Sequence, residues 1–91
     1  MRRAARTDAN QAAIVQALER AGATVETIGR PVDLLVGLRG RTYLLEVKTT
    51  RGHLRASQVA FLARWKGHAV VVRSVEAALA VIGVTVGRTG E

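Results

Sequence analysis

One predicted β-hairpin, residues 32–48, limits the fold of this 91-residue chain more than any other feature. Asp33 opens its first strand, Glu46 and Lys48 close its second strand, and Arg39-Gly40 lies at the turn. A two-residue loop places Asp33 directly opposite Glu46, with their Cβ atoms about 5 Å apart. A four-residue loop keeps this register, whereas a three-residue loop shifts the pairing by one residue.

Both faces of this hairpin are apolar away from its charged end. A strand that is buried on both sides requires a layer above the sheet and another below it. We therefore expect helices to cover both faces. The apolar side chains are Leu34, Val36, Tyr43, Leu45 and Val47 on one face, and Leu35 and Leu44 on the other.

The remaining segments supply the other layers of an α/β fold, a mixed four-stranded sheet flanked by helices on both faces. We expect one domain over residues 8–83, a basic arm over residues 1–7 and a tail over residues 84–91. The predicted order is α-β-β-β-α-β-α. In chain order, the predicted elements outside the hairpin are a helix from Thr7 or Asp8 to Gly22, an edge strand over 23–28, a helix over 57–66, a buried strand over 68–73 and a helix capped by Ser74.

The charges at the open end of the hairpin suggest a metal site. Carboxylates that face each other directly destabilise a sheet, and both ionise easily only when a cation is present. Alternation along the strand places Lys48 on the same face as Glu46. Mg²⁺ prefers hard oxygen ligands, commonly one or two carboxylates completed by water and substrate phosphate oxygens. Asp33 and Glu46 are therefore candidate metal ligands, and Lys48 could orient a water molecule or balance negative charge.

At these residues the chain resembles the PD-(D/E)XK nuclease superfamily, in particular small phage-type VRR-NUC and Holliday-junction-resolvase-like nucleases. The resemblance extends from about Asp8 to Ile82 and implies a restriction-endonuclease-like α-β-β-β-α-β core. Its segments are Asn10-Gln11-x-x-Ile14-Val15-x-x-Leu18, residues 31–37, Leu44-Leu45-Glu46-Val47-Lys48, Ser57-Gln58 and Trp65-x-Gly67.

The resemblance implies a role for each residue at the charged end. Asp33, Glu46 and the backbone carbonyl of Val47 would bind Mg²⁺ or Mn²⁺, and Lys48 would assist the nucleophilic water. Gln58 would lean toward the same site as a catalytic residue. The alternative is that Gln58 satisfies free N–H groups in the first turn of its helix.

The chain differs from the family pattern at two places. Pro31 and Asp33 are separated by Val32, where relatives have adjacent Pro and Asp. Many relatives also carry an acidic residue on the first helix, where this chain offers Asn10 and Gln11. With two strong anionic ligands, a one-metal site is expected.

A formal net charge of +7 favours a polyanionic partner, and nucleic acid, most simply DNA, is the natural candidate. The alternative is that the excess arginine reflects coding bias or keeps a small protein in solution. His53 could touch a phosphate, or could be a solvated loop residue. The candidate nucleic-acid-binding residues are Arg30, Arg39, Arg41, Arg51, His53 and Arg55.

Composition excludes several other classes of protein. The chain contains no cysteine, and it has no apolar run near the roughly 18 residues of a membrane span. The first six residues lack the apolar stretch of a signal peptide. We therefore expect a soluble cytoplasmic protein without a membrane partner. So small a nuclease would engage two strands as a homodimer.

Three functions are consistent with these features. The first is a Mg²⁺-dependent endonuclease that cuts structured or branched DNA by attack of a metal-activated water. The second is a catalytically inactive nucleic-acid-binding or assembly module of the same fold. The third is a small basic domain that binds protein.

Overall fold

The computed structural model describes residues 9–84, which form an α/β fold of three helices and four strands. The predicted arm 1–7, the Asp8 cap and all of the predicted tail except Val84 lie outside these residues. The elements are α1 (Ala9–Arg20), β1 (Thr24–Thr27), β2 (Leu34–Leu38), β3 (Arg41–Val47), α2 (Ala56–Arg64), β4 (Ala69–Val72) and α3 (Val75–Val81).

The four strands form one mixed sheet, as predicted, and their order in the sheet is β1-β2-β3-β4. The first two pairings are antiparallel, and β3 pairs with β4 in parallel. The prediction that 68–73 is a buried strand was wrong in part. β4 is shorter and lies at an edge of the described sheet, where Val72 is its one buried residue.

The turn between β2 and β3 has two residues, and it sets the predicted register. Arg39 and Gly40 both have positive φ, 53° and 79°, which matches the right-handed twist of the flanking strands. Leu38 consequently pairs with Arg41, and Leu34 pairs with Leu45. The next facing positions toward the open end are Asp33 and Glu46.

Helices cover both faces of the sheet, in agreement with the two-sided apolar pattern of the hairpin. Helices α1 and α3 pack against the larger core, and α2 covers the smaller core on the opposite face. The larger core includes Ile14, Leu18, Leu34, Val36, Tyr43, Leu45, Val47, Val72, Ala78, Leu79 and Ile82. The smaller core is Val32, Leu44 and Phe61, with Leu35, Leu62 and Ala69 at its border.

Helix α2 is attached to the sheet by few side chains. Phe61 is its one buried residue, and Val59 is 51% exposed. The helix ends at Arg64 because the backbone of Trp65 is extended, although the sequence predicted a helix to residue 66. Trp65, the next residue, is 46% exposed. Within the described residues, no helix has the length and hydropathy needed to cross a membrane.

Candidate active site

Asp33 is fixed at the open end of the hairpin by hydrogen bonds on two sides. Its backbone carbonyl accepts from the Ile28 N–H at 2.9 Å, which joins it to the end of β1. Its Oδ2 accepts from the Val47 N–H at 2.8 Å, which joins its side chain to the end of β3. The pairing of β2 with β3 therefore places the Asp33 carboxylate at the end of β3, next to Glu46.

Glu46 is the buried acid of the site, with 1% of its surface exposed. Its Oε2 accepts from Gln58 Nε2 at 2.7 Å and lies 3.3 Å from Lys48 Nζ. Its other oxygen, Oε1, is also buried and has no hydrogen-bond partner among residues 9–84. A buried carboxylate oxygen without a donor is costly, by about 1–3 kcal/mol or more. This oxygen is therefore suited to a cationic partner.

The surroundings of Glu46 raise the pKa of its carboxyl above the ordinary value of 4.5. Burial is the largest cause because it disfavours the charged form, and the nearby negative charge of Asp33 acts in the same direction. Lys48 opposes both effects through its hydrogen bond and its positive charge. A single ammonium group therefore does not fully balance the two carboxylates.

This pKa makes metal-free stability depend on pH. Because the folded state holds the Glu46 proton more tightly than the unfolded chain does, the resulting stabilisation is complete below about pH 4.5. It is lost as pH rises toward the folded pKa. We therefore compare the wild type with Glu46→Gln by urea titration in EDTA. As pH rises from about 4.5 through the folded pKa of Glu46, the free energy of unfolding of the wild type should fall relative to that of the variant. A constant difference between the two proteins would contradict this assignment.

Gln58 forms hydrogen bonds through both ends of its side-chain amide. Its Oε1 accepts from the Arg55 backbone N–H at 2.9 Å, which satisfies a donor just before α2. Its Nε2 donates to Glu46 Oε2, as the resemblance implied. Gln58 therefore connects the start of α2 to the buried carboxylate across the face of the sheet.

Lys48 is held by its backbone from two elements. Its N–H donates to the Val72 carbonyl of the parallel strand β4 at 3.0 Å. Its carbonyl accepts from Asn10 Nδ2 at 2.9 Å, so the first turn of α1 contacts the site through an amide. Where the resemblance calls for an acidic residue, the chain thus has a residue that supports the Lys48 backbone.

Arg73 is a residue of this region that the sequence reasoning missed. Its Nη1 donates to the carbonyls of Thr49, at 2.7 Å, and Gly52, at 2.8 Å, and so closes the turn that follows Lys48. The available signal was topological. Because parallel strands end at the same edge of a sheet, a residue just after β4 lies close to the segment after β3.

Three oxygen donors at the open end of the hairpin could hold one hard divalent cation. Asp33 and Glu46 supply carboxylates, and the Val47 carbonyl points toward β2 because the N–H and C=O of a strand residue share one side. Across the described residues, no cluster of three or more His, Cys, Asp or Glu side chains could hold a metal. A metal here would therefore take its remaining ligands from water or substrate oxygens, as Mg²⁺ commonly does.

Comparisons of the chain with protein-family models, curated proteins and solved structures find no match. The function therefore has to be inferred from the residues at the open end of the hairpin, the charges around them and the order of the elements.

The structure places the six candidate nucleic-acid-binding residues in three different regions. Arg30, on the turn before Pro31, and Arg55, just before α2, lie near Gln58. Arg51 and His53 are exposed in the segment after Lys48. Arg39 and Arg41 lie at the closed end of the hairpin, near Ile82. At about 3.4 Å per residue, Arg41 is roughly 17 Å from Glu46 along β3, so this pair is separate from the carboxylates.

Proposed function

We propose that this chain is a metal-dependent endonuclease that hydrolyses phosphodiester bonds in nucleic acid, with structured or branched DNA as the substrate and a homodimer as the active form. The observation that carries the proposal is the Asp33–Glu46–Lys48 cluster. A buried carboxylate lies beside a second carboxylate, keeps one oxygen without a donor among the described residues and has an ammonium group 3.3 Å from its other oxygen. Bringing these charges together destabilises the folded state, and a bound metal would offset this destabilisation.

The fold supports the same proposal. The helix–three strands–helix–strand order and the mixed sheet are compatible with a restriction-endonuclease-like core. The charged residues lie together at the end of the central antiparallel pair β2–β3, and this position supports the proposal. The net charge of +7 supports a polyanionic substrate.

The proposed roles follow from the contacts. Asp33, Glu46 and the Val47 carbonyl would hold Mg²⁺ or Mn²⁺, which would polarise the scissile phosphate and acidify a water molecule. Lys48 orients the attacking water and stabilises negative charge that develops at the phosphorus. Gln58 fixes the orientation of the Glu46 carboxylate through its 2.7 Å hydrogen bond.

A second candidate is a nucleic-acid-binding module of the same fold without turnover. The observation in its favour is Asn10, whose neutral amide donates to the Lys48 carbonyl. Many of the nucleases that this chain resembles carry an acidic residue on the first helix instead. Both candidates bind nucleic acid in a salt-dependent manner, and they differ in their dependence on metal.

Cleavage of labelled substrates in Mg²⁺, Mn²⁺ or EDTA tests this proposal. The substrates are a four-way junction, a splayed duplex, a plain duplex and a single strand. We expect cutting in either metal and none in EDTA, with faster cutting of the branched substrates. Intact substrates in every metal condition, with binding still visible by gel shift, would favour the inactive module.

A thermal melt without nucleic acid separates metal binding from turnover. Saturating metal should stabilise the wild type, by about 2.7 kcal/mol at a concentration 100 times the dissociation constant. Asp33→Asn keeps an oxygen that can accept from the Val47 N–H and removes the charge, so it should fold and lose this metal effect.

A further inference from the structure

A groove lies between α2 and the turn before Pro31, on the side of α2 that faces the site. Its volume is about 580 Å³. Gln58 forms part of its wall and also donates to Glu46 Oε2, so the groove and the carboxylate site share a side chain. A linear polymer bound in this groove would therefore pass beside Glu46.

The charges of the groove have one sign. Three arginines line it, Arg30 on the turn and Arg55 and Arg64 on the α2 side, and no acidic residue is among the described residues that line it. The Arg64 guanidinium lies over the Phe61 ring at 5.4 Å, which restrains its position through a cation–π contact. The groove therefore attracts a polyanion from both walls.

The groove is short, and α2 sets its length along one wall. Arg55 and Arg64 are nine positions apart, which at 1.5 Å per helical residue is about 13 Å. That length corresponds to at most about four nucleotides, because 3.4 Å is the spacing along one strand of a stacked duplex and an unstacked strand is longer. Phe61 lines the groove as a buried residue with the Arg64 guanidinium over its ring, so the side chains open to a strand are the arginines.

We propose that this groove binds a single nucleic-acid strand and leads its phosphate backbone to the carboxylate site. The proposal rests on the proposed function for the destination of the strand, but binding in the groove does not require metal or turnover. Unpaired strands at a branch or flap would then be the part of the substrate that enters.

The test is fluorescence anisotropy in EDTA with a labelled oligothymidylate of about 20 nucleotides, longer than the roughly 4–16 that such sites cover. We expect Arg30→Gln/Arg64→Gln to weaken binding at least about tenfold. The slope of log affinity against log salt should fall by about 1.4, which corresponds to two lost phosphate contacts. The matched control is Arg20→Gln/Lys66→Gln, which removes the same charge at two exposed residues that do not line the groove and should change affinity by less than about threefold.

Equal losses in the two double variants would overturn the proposal, because they would show an effect of net charge alone. Stronger binding of a plain duplex than of the single strand would overturn it as well. Amide chemical shifts of the wild-type protein provide a test that does not depend on how the variants fold. Added strand should shift Arg30, Gln58 and Phe61, and shifts confined to residues 38–43 would contradict the proposal. Because these readouts contain no metal, a chain that binds strands but fails to cleave them would disprove only the nuclease.

Discussion

Replacing Glu46 with glutamine should make the metal-free protein more stable and abolish metal-dependent cleavage. Glutamine has nearly the shape of glutamate, and its amide can still accept from Gln58 Nε2. The change removes the negative charge of Glu46, a residue whose pKa is raised by its burial and by the nearby charge of Asp33. We expect a gain of about 1 kcal/mol near neutral pH, or about 4–8 °C in Tm for a domain of this size.

Differential scanning fluorimetry with and without Mn²⁺ measures both parts of this prediction. The variant should melt above the wild type in EDTA, and added metal should not raise its Tm further. Glu76→Gln is a matched control, since it makes the same chemical change at an exposed acid in the first turn of α3. A Glu46→Gln protein that is less stable than the wild type in EDTA would show that the carboxylate serves the fold rather than a ligand.

Replacing Lys48 with alanine should reduce cleavage about 10²- to 10³-fold, the usual effect of losing a group that stabilises developing charge. The Lys48 ammonium lies 3.3 Å from Glu46 Oε2, so it is also the cation of the metal-free site. Its loss should raise the pKa of Glu46 further and lower metal-free stability. Saturating Mn²⁺ should restore most of this stability without restoring the cleavage rate.

Single-turnover cleavage and thermal melts of the same samples separate these effects. Lys66→Ala, the same change at an exposed lysine, should leave both rate and Tm close to those of the wild type. Lys48→Arg should remain impaired, because a planar guanidinium does not replace a compact ammonium. Full activity in Lys48→Ala would show that the lysine has no part in the mechanism. The proposed site would then consist of Asp33 and Glu46 as metal ligands.

The hairpin could be predicted well because its information is local. Alternating apolar residues define its two faces, and a two-residue turn at Arg39-Gly40 leaves one register. From that register alone, Asp33 falls opposite Glu46. Lys48 follows on the same face because side chains alternate along a strand.

The sequence was less informative where the structure depends on distant segments. The support of the Lys48 backbone comes from Asn10 and Val72, and the turn after it is closed by Arg73. No periodicity in the chain connects these residues. Burial of β4 was overestimated because a run of valines does not show whether a strand lies in the centre or at the edge of a sheet. The exposure of Trp65 follows from the end of α2 at Arg64, which no Pro signals in the sequence.

The two-residue turn also determines which changes of length the chain can tolerate. One residue inserted between Leu38 and Arg41 would shift the pairing of β2 with β3 by one residue. In the native register Leu34 and Leu45 lie on the same face, and after such a shift the two strands could not both pair and keep these leucines in the core. Glu46 would then be displaced relative to Asp33, although the insertion lies five or more residues from either acid. Insertions between Gly52 and Arg55 change no strand pairing. Among variants or descendants of this sequence, we expect length differences to accumulate in that loop and to be absent from the hairpin turn.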